Sequence, residues 1–150
     1  TRKIVIGFLK ILNNESKFLE LGNLYAKRDW GYAKEYVEAM YKMLQQKVPD
    51  DYVICTGKTY SIKQFINFTT DYLGMKTKWI GTGIKERLVN KMNNQIIVKI
   101  NPKYFRPSEV NLLRGNSSKA RKILNWYPKT NLKKLIKIMV DEEIKHYDKY

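Results

Sequence analysis

Two short stretches of this 150-residue chain set cations, a carboxylate and a backbone breaker close enough together to grip an anion. The first runs from Leu21-Gly22-Asn23-Leu24 into Ala26-Lys27-Arg28-Asp29-Trp30-Gly31. Gly22 has no Cβ and lets a backbone approach a ligand closely. Arg28 offers a planar fork that fits phosphate oxygens, with Lys27 a point charge beside it. The plainer alternative is a local Arg28–Asp29 pair with Trp30 as a core anchor. The second stretch is Tyr104-Phe105-Arg106-Pro107-Ser108-Glu109-Val110. Pro107 fixes its own φ and biases Arg106 towards an extended backbone. Arg106 is then placed to hold phosphate, and Glu109 to accept from vicinal hydroxyls. Its plainer alternative is an ordinary Arg–Glu surface pair.

The remaining chemistry-bearing residues point to structure. His146 is the single histidine and sits among charges in a terminal helix, where it reads as solvated. With one Cys and one His, a structural zinc site is excluded. Cys55 lies in an apolar run and reads as a buried thiol rather than a nucleophile. No carboxylate pair has a spacing that demands acid–base catalysis, and Ser117-Ser118 reads as a helix cap, so no catalytic residue is assigned.

The elements that must position these residues follow from hydrophobic periodicity. A helix is expected from Arg2 to Leu12 on Ile4, Phe8, Ile11 and Leu12, and this helical face, with no small-residue cleavage site after it, argues against a signal peptide. Phe18 to Leu24 alternates as a short strand. Ala33 to Gln45 carries the stripe Ala33, Tyr36, Val37, Met40, Tyr41 and Leu44, the cleanest amphipathic pattern in the chain. Tyr52 to Thr56 reads as a buried strand, and Ser61 with Gln64 as a capping box that starts a helix ending at Gly74. A strand near Lys78 to Ile80, a polar mobile loop over Gly81 to Gln95 and a strand over Ile96 to Ile100 follow. A short helix near Ser118 to Leu124 and a long one from Leu132 to Tyr147, N-capped by Asn131, complete the chain. The alternation of helices and strands predicts an α/β fold in a single unit over residues 1–150. No glycine-rich turn of the G-x-G-x-x-G kind joins a strand to a helix, so no dinucleotide cradle is expected in this chain.

Composition narrows the classes further. The hydrophobic fraction of 43% supplies a real core. No apolar run reaches the roughly 18 residues of a membrane span, so no membrane partner is expected. A lone cysteine suits a reducing compartment, which places the protein in the cytoplasm. The formal net charge of +15 raises nucleic acid as a partner. The lysines are spread along the whole length rather than gathered in an arm, which disfavours that role.

Taken in order, LGNL, AKRDWG, AKEYVEAM, Gln45-Gln46, Asp51-Tyr52-Val53-Ile54, YFRPSEV, Gly115, Ser118-Lys119-Ala120 and Leu124-Asn125-Trp126-Tyr127-Pro128 resemble the GDP-mannose 4,6-dehydratases over nearly the whole chain. Thr1-Arg2-Lys3-Ile4 matches the family just after its middle. The resemblance implies the C-terminal, substrate-binding portion of a Rossmann-type extended short-chain dehydrogenase. It also implies a NADP-dependent lyase that converts GDP-mannose to GDP-4-keto-6-deoxymannose and water, towards GDP-fucose and related deoxyhexoses. In that family C4 is oxidised by hydride transfer to the cofactor, water leaves across C5 and C6, and the hydride returns to C6. The glycine-rich loop and the catalytic residues precede the matched region. NADP is therefore expected to bind outside this chain, and the segment is not expected to catalyse alone. The positions carried over are substrate contacts: Lys3, Leu21, Gly22, Lys27, Arg28, Arg106 and Glu109. A GDP-sugar is the implied partner, and a homo-oligomer the implied full-length state. The competing classes are a free-standing, non-catalytic module for a GDP-sugar or a polyanion such as nucleic acid, and a related GDP-sugar epimerase or reductase.

The chain also departs from the family pattern. Tyr32 stands where His is usual and Tyr25 where an acid is common, while Asn101, Asn111 and Asn116 replace aspartates. The lost acids account for part of the positive charge and are expected to remove caps or ion pairs.

Overall fold

The computed structural model describes residues 1–106 and 108–147, and all structural statements below refer to these. Helix α1 (Arg2–Leu12) leads into strand β1 (Leu19–Leu21), then β2 (Lys27–Arg28), helix α2 (Ala33–Leu44), β3 (Tyr60–Ser61) and helix α3 (Ile62–Tyr72). Strands β4 (Thr77–Ile80), β5 (Arg87–Asn90) and β6 (Ile96–Ile100) follow, then helices α4 (Ser118–Leu124) and α5 (Leu132–Tyr147).

The main sheet has the order β1-β6-β5-β4. β1 runs parallel to β6, with Leu19 opposite Val98 and Leu21 opposite Ile100. The other neighbours are antiparallel. A small ladder pairs β2 with β3, and Lys27 makes an isolated parallel bridge to Leu112. This bridge is how the two cation-bearing stretches meet.

One core lies between the sheet and helices α1, α3 and α5. Val5, Phe8, Phe65, Ile66, Val98, Ile136 and Val140 are fully buried in it. In α1 the buried stripe is Ile4, Val5, Phe8 and Leu9, so Leu12 of the expected stripe instead faces outward. The capping box of α3 is present: the Gln64 amide donates to Ser61 Oγ at 3.1 Å, and the Ser61 amide donates to Gln64 Oε1 at 2.8 Å. Asn131 Oδ1 accepts from the Lys134 amide at 2.9 Å and caps α5 as expected. A second, smaller core joins Ala39 of α2 to Ala120 and Leu124 of α4 and to Trp126, whose Nε1–H donates to the Glu35 carbonyl at 2.8 Å.

Several expectations need correction. Tyr52 to Thr56 is extended but joins no ladder; Cys55 is its one buried residue, and the Thr56 amide donates to the Asp29 side chain in place of a strand partner. The stretch Gly81 to Gln95 is not wholly loop, because it contains β5. Leu88 and Val89 are adjacent yet both buried, with a register shift between them, so the period-two signal that marks a strand is broken by a bulge. Of the α2 stripe only Tyr36 falls on the packed side, next to Ala39, which lies outside the stripe; Ala33, Val37, Met40, Tyr41 and Leu44 are exposed. Ser117 makes no side-chain cap for α4; Asn116 Oδ1 accepts from the Ser118 amide at 3.0 Å and does that work. Asn101 likewise accepts from the Lys103 amide and donates to Glu20. Both asparagines retain the caps their replacement was expected to remove, because an amide oxygen accepts as a carboxylate does.

Candidate functional site

The fold brings the two predicted constellations together at Arg28 and Glu109. Arg28 Nη2 donates to Glu109 Oε1 at 2.9 Å. Arg28 Nη1 donates to the carbonyls of Lys27 at 2.8 Å and Val110 at 2.6 Å. These contacts use three of the five guanidinium N–H groups, so two remain for a ligand. The backbone fixes the pairing: the Lys27 amide donates to the Asn111 carbonyl, and the Leu113 amide to the Lys27 carbonyl. Lys27 itself points to solvent with no salt bridge among the described residues.

The expected local pair is therefore replaced. Asp29 turns away from Arg28, and its carboxylate accepts from the Thr56 amide (3.0 Å), Thr56 Oγ1 (2.6 Å) and the Gly57 amide (2.7 Å). The aspartate thereby ties the segment after β2 to the loop before β3. Trp30 does anchor on the core, meeting Phe65 edge-to-face at 5.2 Å between ring centres. Nor do Arg106 and Glu109 pair through side chains; their contact is a turn in which the Glu109 amide donates to the Arg106 carbonyl at 3.2 Å. Arg106 is exposed and follows the 102–104 turn, while Pro107 lies outside the described residues.

Lys3, Leu21 and Gly22 gather at the C-terminal end of β1. The Leu21 side chain is buried and its carbonyl accepts from the Asn101 amide at 2.8 Å. A Cβ on Gly22 would run into the carbonyl of Tyr104, so this glycine admits the 102–104 turn at close range. Lys3 Nζ lies 4.3 Å above the Tyr104 ring. The turn that carries Tyr104 leads on to Phe105 and Arg106. The rim of β1, β2 and residues 104–106 and 108–112 holds the predicted contacts in two groups, Lys3, Leu21 and Gly22 beside Tyr104 and Lys27, Arg28 and Glu109 beside the Lys27–Leu112 bridge.

A network around one buried carboxylate, Glu86, was missed by sequence reasoning. Glu86 is 4% exposed and takes a hydrogen bond from Tyr25 Oη at 2.6 Å and an ion pair from Lys63 at 2.5 Å. Lys63 also sits 4.8 Å over the Trp79 ring. Burial pushes the Glu86 carboxyl up, but the bonds from Lys63 and Tyr25 together outweigh it and hold the group below its ordinary value. Tyr25, which stands where an acid is common, is thus a donor to a carboxylate rather than a charge. Partners so far apart in sequence leave no local pattern by which to find them.

A family model described as GDP-mannose 4,6 dehydratase matches residues 1–139 of this chain, including every part of the rim. The chain belongs to the GDP-mannose 4,6-dehydratase family. It is 48% identical over 145 residues to GDP-mannose 4,6 dehydratase 2 of Caenorhabditis elegans, covering 96% of this chain and 37% of that protein. Two solved structures share the fold: RMD from Pseudomonas aeruginosa complexed with NADPH and UDP-glucose 4-epimerase from Bifidobacterium longum in complex with NAD+ and UDP. The first has a TM-score of 0.69 at 14% identity, over 93% of this chain and 41% of the other. The second also has a TM-score of 0.69, at 16% identity, over 99% and 39%. The chain spans 35–43% of the length of the curated family members it matches. It has the α/β architecture of the corresponding portion of Rossmann-type extended dehydratases and epimerases.

β3 passes into α3 directly at Ser61-Ile62 with a serine cap, and among the described residues no glycine-rich turn of the dinucleotide-binding kind opens a helix. Among the described residues no helix is long and apolar enough to cross a membrane.

Proposed function

We propose that this chain is the substrate-binding portion of a cytoplasmic, NADP-dependent GDP-mannose 4,6-dehydratase. The complete enzyme converts GDP-mannose to GDP-4-keto-6-deoxymannose and water, on the way to GDP-fucose or a related deoxyhexose. NADP, held outside this chain, supplies the hydride chemistry. The present residues bind and orient: Arg28 and Arg106 take the diphosphate, Glu109 accepts from the ribose hydroxyls, and Lys3 and Lys27 add positive potential. Leu21 and Gly22 shape the rim. The 1–150 segment acts as one unit and does not catalyse alone; the full-length protein is a homo-oligomer.

The observation that carries this reading is the Arg28–Glu109 pair. Two stretches that are each ambiguous in sequence converge on one anion grip with a hydroxyl acceptor beside it. The apolar, exposed face of α2 supports the larger assembly, since Val37, Met40, Tyr41 and Leu44 require cover from elsewhere in the protein. Calorimetry with GDP and GDP-mannose on the full-length protein tests the site. Arg106→Ala and Glu109→Ala are each expected to weaken nucleotide binding; if neither does, the assignment is wrong. Encoding of a glycine-rich strand–turn–helix and a Tyr-x-x-x-Lys pair ahead of Thr1 is the expected genomic counterpart.

A further inference from the structure

A second cationic site has a lining that includes none of Arg28, Arg106 and Glu109. The loop Thr56-Gly57-Lys58 and the segment from Arg114 to Arg121 enclose an open cavity of about 570 Å³. Its volume falls within the range of sites for small organic ligands, about 300–1,000 Å³. Lys58, Arg114 and Arg121 all line it, and no Asp or Glu does. Among the described residues none of these three cations makes a salt bridge.

The two guanidiniums are nonetheless held in place by neutral groups. Arg114 Nε donates to the Gly57 carbonyl at 3.0 Å. Arg121 Nε donates to Ser117 Oγ at 3.2 Å, and its Nη2 to the Thr56 carbonyl at 3.3 Å. Each thus keeps free N–H groups on a fixed frame, with its charge uncompensated. Asn116 adds a donor: its Oδ1 is occupied by the Ser118 amide and hydroxyl, which leaves its NH₂ available. Gly57 holds φ at +76°, the left-handed turn that folds the loop over the cavity. The Gly57 and Lys58 amides are already used, since Gly57 donates to Asp29 and Lys58 to Thr56 Oγ1. The Asp29 carboxylate behind the loop is satisfied by Thr56 and Gly57. The side chains of Lys58, Arg114 and Arg121 supply the charge for a ligand here.

From this arrangement we propose that the cavity binds a small polyanion bearing a diphosphate or two phosphate groups, separately from the GDP-sugar. Three cations converging on a concave space suit a compact ligand with several negative charges; the cavity is wider than a single phosphate needs. A nucleic-acid backbone would call for a continuous basic groove rather than one recess.

The test is a calorimetric titration of sodium pyrophosphate into the full-length protein at constant ionic strength, with GDP saturating and again without it. The variants are Lys58→Gln/Arg114→Gln and a charge-matched control at exposed positions elsewhere, Lys10→Gln/Lys34→Gln. We expect pyrophosphate to bind the GDP-saturated protein. The cavity variant should weaken it about tenfold or more, the scale of one or two lost charged hydrogen bonds. The control should leave it within about twofold. Absence of binding to the GDP-saturated wild type, or equal weakening in both variants, overturns the proposal. So does displacement of pyrophosphate by oligo-dT that binds more tightly than pyrophosphate itself. Because the two variants are also compared without GDP, a failure of GDP to bind does not obscure the result.

Discussion

Arg28 on β2 holds Glu109 at 2.9 Å across 81 residues of sequence. The side chains are 23% and 20% exposed, so solvent screens the pair and its coupling is modest. A double-mutant cycle with Arg28→Ala and Glu109→Ala, read by urea denaturation, is expected to give a coupling of about 0.5–1 kcal/mol that shrinks in high salt. GDP affinity should fall more for Arg28→Ala than for Arg28→Lys. A lysine keeps the charge while losing the fork that reaches two carbonyls and a carboxylate together.

Gly22→Ala places a Cβ against the Tyr104 carbonyl, which is backbone and cannot rotate aside. The 102–104 turn must shift, and Arg106 shifts with it. The expected cost is about 1–3 kcal/mol in thermal or urea unfolding, accompanied by weaker GDP binding. Binding unchanged in a destabilised variant would separate the glycine from the site.

Glu86 sets a pH dependence. Its folded pKa lies below the ordinary carboxyl value of 4.5, so the stabilisation it confers is fully present above that value and is lost as pH falls through the depressed one. Glu86→Gln is expected to cost about 1–3 kcal/mol near neutrality, because Lys63 loses its partner beside the Trp79 ring. The gap between wild type and variant, followed by urea midpoints, should narrow below pH 4.5. A gap independent of pH would rule out the ion pair as its source.

Ser61→Ala removes one half of the α3 capping box. A loss of about 1 kcal/mol is expected, with the helix otherwise intact by circular dichroism.

The exposed face of α2 makes opposite predictions in two settings. Val37→Asp with Leu44→Asp should reduce light scattering of the 1–150 segment in isolation without lowering its unfolding midpoint, since both side chains are solvent-exposed there. In the full-length protein the same pair should be destabilising, by about 1–3 kcal/mol, if that face is covered.

The amino-acid order by itself determined the helices, both ends of α4 and α5, the capping box, the strand at Ile96–Ile100 and the family. These are signals carried within a few residues: a 3.6-residue stripe, a cap at fixed offset, a motif in series. It also marked Lys27-Arg28 and Arg106 with Glu109 as candidates, though it could not choose between a ligand grip and surface pairs. Tertiary structure decided that Arg28 belongs to Glu109 and Asp29 to the Thr56–Gly57 loop, because such choices depend on which strands lie side by side. It decided, too, that Val37, Met40, Tyr41 and Leu44 of the α2 stripe face outward while Tyr36 packs on Trp126, since periodicity reports that a face is apolar and says nothing of what covers it. The cationic cavity and the Glu86 network have no local pattern at all. Each assembles residues that are dispersed along the chain and become neighbours only through packing.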